Sequence, residues 1–76
     1  MSGDLGQYDR VRFVTDRLRG DGAPLGSVGY IIEAYPDGAF EVEVSDPSTG
    51  TTRALVVAKP DELERADLPP AGEAAP

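Results

Sequence analysis

The most regular pattern along the chain is the alternation of apolar and acidic residues over 40–44, where two glutamates separate three apolar side chains. Successive side chains of a β-strand point to opposite faces of a sheet, so this period of two predicts a strand with one buried face. The segment 8–15 alternates in the same way and places Arg10 and Arg12 on its outer face. Two half-buried strands are therefore predicted.

Two further segments are apolar enough to form strands. The segment 27–35 contains the run Tyr-Ile-Ile at 30–32, which lacks clean alternation and predicts burial on parts of both faces. Gly26 and Gly29 fit a strand that bends or bulges there. The segment 51–57 is the fourth predicted strand, and the proline after Lys59 stops it.

Turn residues separate these strands. The sequence Tyr-Pro-Asp-Gly at 35–38 predicts a tight turn, with Gly38 in the left-handed conformation that closes it. A second turn is predicted at 46–50, and a long polar loop at 16–25. Residues 61–65 predict a single helical turn, with Leu63 filling one end of the fold.

A flat sheet of four strands would leave one face wet and both edges open, so the sheet must curl to bury its inner face. The predicted fold is all-β, a small SH3-like, partly open barrel of four to five antiparallel strands with one short helical turn near the C-terminus. The barrel is expected over 8–65, between a flexible N-terminus at 1–7 and a disordered tail rich in proline and alanine at 66–76.

Composition limits the chemistry. The chain has 76 residues, neither cysteine nor histidine, and 14 acidic against 7 basic residues, which gives a net charge of −7. A domain of this size gains about 3–5 kcal/mol from its core. The negative charge opposes nucleic acid and favours a partner protein with a basic surface. No segment resembles a membrane span or a signal peptide, so a cytoplasmic location is expected.

Paired carboxylates offer little catalytic potential. Glu41 and Glu43 project from one strand face about 7 Å apart, a separation close to that of a glycosidase pair. A solvated outer face explains them better. Asp46, Asp61 and Glu62 could be considered as a metal site, but turn chemistry explains Asp46 and helix-start chemistry explains Asp61. We therefore expect no enzymatic activity, cofactor or metal.

Exposed tyrosines and arginines are the candidates for binding a partner. Tyrosine is enriched at protein interfaces, because its ring buries area while its hydroxyl stays in water. Arg10, Arg12, Arg17 and Arg19 could bind an anion or an acidic peptide, although pairing with the many acids within the chain is favoured. The predicted partner-binding residues are Tyr8, Arg10, Arg12, Tyr30, Tyr35, Glu41 and Glu43.

The sequence resembles a bacterial family known as domain of unknown function 4926. The resemblance rests on Leu-Gly-Ser-Val-Gly-Tyr-Ile-Ile-Glu-Ala-Tyr at 25–35, the Asp-Gly pair at 37–38, the strand at 40–44 and Ala-Leu at 54–55, with Tyr-Asp-Arg-Val at 8–11 as its opening. Some members of that family are encoded beside toxin-like genes, which implies an antitoxin or immunity protein. A second similarity, to the barrel of the nitrile hydratase β subunit, rests on Arg-Val-Arg at 10–12 and the glycines that follow.

Three functions are therefore open. The first is a non-catalytic module that binds and blocks a partner protein, as an antitoxin or immunity protein does. The second is an accessory or structural subunit of a larger enzyme complex, and the third and least favoured is a nucleic-acid-binding barrel. A homo-oligomer joined through an open strand edge is compatible with the first two.

Overall fold

The computed structural model describes residues 5–46, 49 and 51–66. The strands are β1 (Arg10–Phe13), β2 (Val28–Ala34), β3 (Phe40–Ser45), β4 (Thr52–Ala58) and β5 (Leu63–Arg65), with 3₁₀ turns at Arg19–Asp21 and Pro60–Glu62. They form one antiparallel sheet in the order β4-β3-β2-β1-β5. Within these residues β4 and β5 do not pair with each other, so the sheet is not closed. The predicted all-β, partly open barrel is confirmed.

The core lies on one face of the curled sheet and follows the predicted alternation. Val11 of β1 and Val42 of β3 are fully buried, whereas the residues beside them point away from the core. The buried core residues are Val11, Phe13, Leu18, Ala23, Ile31, Phe40, Val42, Val44, Val56, Ala58 and Leu63. None of the helical segments in this part of the chain is long and apolar enough to cross a membrane.

Strand β2 differs from its prediction in the position of its irregularity. The register between β2 and β3 shifts between Ile31 and Glu33, so the bulge lies beyond the glycines that were expected to mark it. Gly29 has another role, because a Cβ atom there would lie 2.3 Å from the carbonyl oxygen of Glu43. The glycine therefore allows β2 and β3 to approach closely.

The turn between β2 and β3 is confirmed. Gly38 has φ +95° and donates its N–H to the carbonyl oxygen of Tyr35 at 3.0 Å. The segment 16–25 is a loop, as predicted, but it is not polar throughout, because Leu18 and Ala23 are buried in the core on either side of the first 3₁₀ turn. Pro47, Ser48 and Gly50 of the second predicted turn lie outside the described residues.

The predicted helical turn at 61–65 is only partly correct. The turn covers Pro60–Glu62, and the next three residues form β5 against the free side of β1. Leu63 pairs with Phe13 and is buried, so it contributes to the core as expected. Local sequence does not favour a strand of three residues, and the unpaired backbone groups of β1 supply the reason for it.

Both ends of the described chain contact the barrel. Leu5 packs against the core, and the Gly6 N–H donates to the Asp9 carboxylate at 2.8 Å. The Ala66 N–H donates to the carbonyl oxygen of Arg10 at 2.9 Å. The remainder of the predicted flexible N-terminus, 1–4, and of the predicted tail, 67–76, lies outside the described residues.

Candidate interaction surface

The face of the sheet opposite the core carries a row of four side chains, one from each of β1 to β4. Pairing across the strands joins Arg10 to Tyr30, Tyr30 to Glu43, and Glu43 to Leu55. We call this side of the sheet the outer face. Three of the predicted partner-binding residues therefore stand in one line, and they end at an exposed leucine.

A second row on the outer face brings two carboxylates together. Glu33 stands opposite Glu41, and Glu41 stands opposite Val57. Like charges directly opposite each other destabilise a sheet. Among the described residues, Glu33, Glu41 and Glu43 form no salt bridge. The outer face thus places three carboxylates beside apolar side chains.

Hydrogen bonds hold two of these carboxylates in place. The Tyr35 hydroxyl donates to Glu41 Oε1 at 2.5 Å, and the Thr52 hydroxyl donates to Glu43 Oε2 at 2.5 Å. The bond to Glu41 raises the pKa of Tyr35 above its usual range, because it stabilises the protonated hydroxyl. Glu41 and Glu43 lie on the outer face, as expected, where both are half-buried and one oxygen of each accepts a hydrogen bond.

The arginines considered for anion binding have partners within the chain, as favoured from the sequence, and Arg10 donates to the carbonyl oxygen of Ala66 at 3.4 Å. Arg12 meets Glu64 at 2.9 Å and Arg19 meets Asp16 at 2.8 Å. The guanidinium of Arg17 binds both carboxylate oxygens of Glu62.

Glu62 also accepts a hydrogen bond from the Lys59 N–H at 2.9 Å. The Arg17 hydrogen bond is the largest cause that lowers the pKa of Glu62 from 4.5 to about 2. This pair therefore connects the start of the long loop to the second 3₁₀ turn.

Tyr8 and Arg12 lie apart from the two rows. Tyr8 is 75% exposed and occupies the turn before β1, where its φ of +76° is rare for a residue other than glycine. Its N–H donates to the carbonyl oxygen of Ile31 beside the β2 bulge. Arg12 lies between β2 and β5 and is paired with Glu64. The predicted site is thus divided between the outer face and its margins.

Leu55 and Val57 are the apolar outer-face residues that the sequence did not reveal. They are 56% and 50% exposed. The run Ala-Leu-Val-Val-Ala at 54–58 is apolar at every position, so the period of two that identifies an inner face is absent. One signal was available in the sequence. Arg53 and Lys59 occupy the same alternate positions as Leu55 and Val57, and burying two charged side chains on the inner face would be unfavourable, so all four are expected on the outer face.

A groove runs along the end of the outer face. Its volume is about 640 Å³, and its lining includes Arg10, Tyr30 and Arg53 together with residues 25–28. It opens beside the row that ends at Leu55. Among the described residues, no group of three or more histidine, cysteine, aspartate or glutamate side chains is placed to hold a metal ion.

The match to a protein-family model covers residues 7–65, which includes all five strands and the whole outer face. The family is described as a domain of unknown function, DUF4926. The chain belongs to the DUF4926 family. Comparison with curated proteins and with solved structures finds no match.

Proposed function

We propose that this DUF4926 domain is a non-catalytic module that binds and blocks a basic partner protein, in the manner of an antitoxin or immunity protein. The observation that supports the proposal is the outer face, where exposed Tyr30, Leu55 and Val57 adjoin three carboxylates without salt bridges. Exposed apolar side chains that lie side by side are typical of surfaces that bind proteins, and carboxylates without salt bridges beside them would attract cationic side chains of a partner.

The charge of the whole domain supports the same conclusion. A net charge of −7 attracts a basic partner and accelerates its association. Contact with cations would also relieve the repulsion between Glu33 and Glu41, which the domain bears when it is alone.

A capture experiment with two matched valines tests the proposal. Val57 on the outer face is 50% exposed and Val14 beyond β1 is 45% exposed, so Val57→Lys and Val14→Lys replace similar apolar surface. Tagged wild type, V57K and V14K are incubated with lysate of the native host, and stoichiometric proteins are identified by mass spectrometry. We expect a basic protein that wild type and V14K retain and V57K loses.

The captured protein is then expressed alone and together with the domain. Growth arrest that wild type relieves and V57K does not would establish the blocking role. A metabolic enzyme with no effect on growth would favour the accessory-subunit alternative. If no captured protein distinguishes V57K from V14K, the outer face is not the binding surface.

A further inference from the structure

Strand β4 leaves a row of backbone groups open at the edge of the sheet. The N–H of Ile31 donates to the carbonyl oxygen of Asp9, and its carbonyl accepts from Tyr8, so Ile31 bonds toward β1. In a strand with an antiparallel neighbour on each side, successive residues direct their N–H and C=O groups to one neighbour and then to the other. Tyr30, next to Ile31, therefore hydrogen-bonds toward β3, and its partner Glu43 hydrogen-bonds toward β2.

The same alternation continues to β4. Val42 and Val44 bond toward β4, which directs their partners Val56 and Ala54 toward β3. Leu55, between those two, therefore points its N–H and C=O away from the sheet, and Val57 does the same. No hydrogen bond from the described residues reaches these groups.

The open part of the edge has defined limits. At one end the β3–β4 register shifts between Val44 and Ser45, which makes Arg53 an extra, bulged residue. At the other end Lys59 precedes Pro60, which has no N–H to donate. Bulges, charged residues and proline are the usual protection of a sheet edge, but here they enclose the apolar segment 54–58 and leave it uncovered.

We propose that β4 accepts an extended strand of the partner protein, apolar at alternate positions and flanked by carboxylates. This inference rests on the proposed protein-binding function and names the geometry of contact. Arg53 and Lys59 are exposed and form no salt bridge with the described residues, so each can face an acidic side chain of the added strand. The added strand would extend the two rows of the outer face beyond Leu55 and Val57.

A second copy of the chain fits this edge poorly. An antiparallel pair of β4 strands that matches Leu55 with Val57 also sets Arg53 opposite Lys59, and like charges in that position are unfavourable. Each copy also carries a net charge of −7. Charge therefore selects a partner strand over self-pairing.

Synthetic peptides test strand addition without the natural partner. One probe alternates valine and threonine between two terminal glutamates, and its control has terminal lysines around the same centre. Each is titrated into the isotope-labelled domain while amide resonances are followed by NMR. We expect saturable shifts at Leu55 and Val57 and, from two favourable cross-strand charge pairs, about five- to ten-fold tighter binding of the glutamate-flanked peptide.

Two variants make the result specific. Arg53→Glu combined with Lys59→Glu should reverse the preference between the peptides, and Val57→Pro should abolish binding of both, because its N–H faces the open edge. If V57P does not fold, the charge-reversed variant still decides the question.

If neither peptide shifts the amide resonances of Leu55 and Val57, strand addition is wrong. That result would leave the proposed protein-binding function to be decided by the capture experiment with V57K and V14K. Protection of the same two amides by self-association would overturn it in favour of a second copy.

Discussion

Tyr8 is the residue whose backbone departs furthest from its preference. The turn from Gly6 to Asp9 is closed by a 3.1 Å hydrogen bond, and Tyr8 takes its third position with φ +76°. Type II turns place glycine or asparagine there, because a Cβ atom is crowded at positive φ. With its side chain 75% exposed, Tyr8 recovers little of this cost through packing.

Replacing Tyr8 with glycine should therefore stabilise the domain. We expect Tyr8→Gly to raise the free energy of unfolding by about 0.5–1 kcal/mol. This value is the cost of the left-handed backbone that glycine removes, minus the loss that arises because glycine makes the unfolded chain more flexible. Urea unfolding followed by circular dichroism measures the change. Tyr8→Phe keeps the strain and should leave the stability unaltered. A loss of stability in Y8G would mean that the ring packs on the barrel in solution.

Glu62 should make the stability of the domain depend on pH in the acid range. Its pKa is about 2 in the folded state against an ordinary 4.5, so the charged form is favoured by folding. The stabilisation is complete above pH 4.5 and is lost as the pH falls toward 2. Glu62→Gln should lower the free energy of unfolding by about 1 kcal/mol at neutral pH, which is at the upper end of the range for an exposed ion pair. Near pH 2 the substitution should not change it.

The matched control for Glu62 is Glu64→Gln. The Arg12–Glu64 pair is 44% and 52% exposed in its two side chains, and such pairs contribute little. We expect E64Q to change stability by less than about 0.5 kcal/mol at any pH. Equal pH dependence of E62Q and wild type would show that the contact with Arg17 does not persist in solution.

At the scale of the strands, the close approach of β2 to β3 depends on Gly29. A methyl group there would lie 2.3 Å from the Glu43 carbonyl oxygen, which belongs to backbone and cannot turn aside. Gly29→Ala should therefore destabilise by about 2–4 kcal/mol, most of the stability expected for so small a domain. Thermal unfolding compares it with Gly20→Ala, whose Cβ would have no neighbour within 4 Å. Equal melting temperatures for the two variants would contradict this role.

Sequence patterns predicted strands where only one face is apolar. β1 and β3 carry charged residues between apolar ones, so their inner faces could be assigned before the structure was known. β4 is apolar on both faces, and its exposed Leu55 and Val57 could not be separated from its buried residues by periodicity. Leu55 and Val57 were therefore missed, although Arg10, Tyr30, Glu41 and Glu43 of the same two rows were found.

At the scale of the molecule, strand order was the least predictable feature. β5 is too short to have a pattern of its own, and it forms because β1 offers an unpaired edge to a segment remote in sequence. Local propensity carries no information about such a pairing. The curl of the sheet, by contrast, follows from the need of so few strands to bury one face.

The excess of negative charge predicts how binding responds to salt. Association of the captured basic partner should slow about ten-fold or more when the ionic strength rises from about 0.01 to 0.15 M, because the Debye length shortens from about 30 to 8 Å. Dissociation should change much less. Stopped-flow fluorescence gives both rates, and Glu41→Gln with Glu43→Gln should lower the association rate at low salt. An association rate independent of salt would argue against an electrostatically guided partner.

The position of β1 between β2 and β5 also determines when the barrel can be completed during synthesis. Val11 pairs with Gly29 on one side and with Arg65 on the other, so one side of β1 remains unpaired while the ribosome translates nearly all of the barrel. Until Leu63 leaves the exit tunnel, the nascent chain has an incomplete core and two uncovered strand edges. Any delay before Leu63 leaves the tunnel would prolong this state, in which a chaperone or another nascent chain could bind β1 in place of β5.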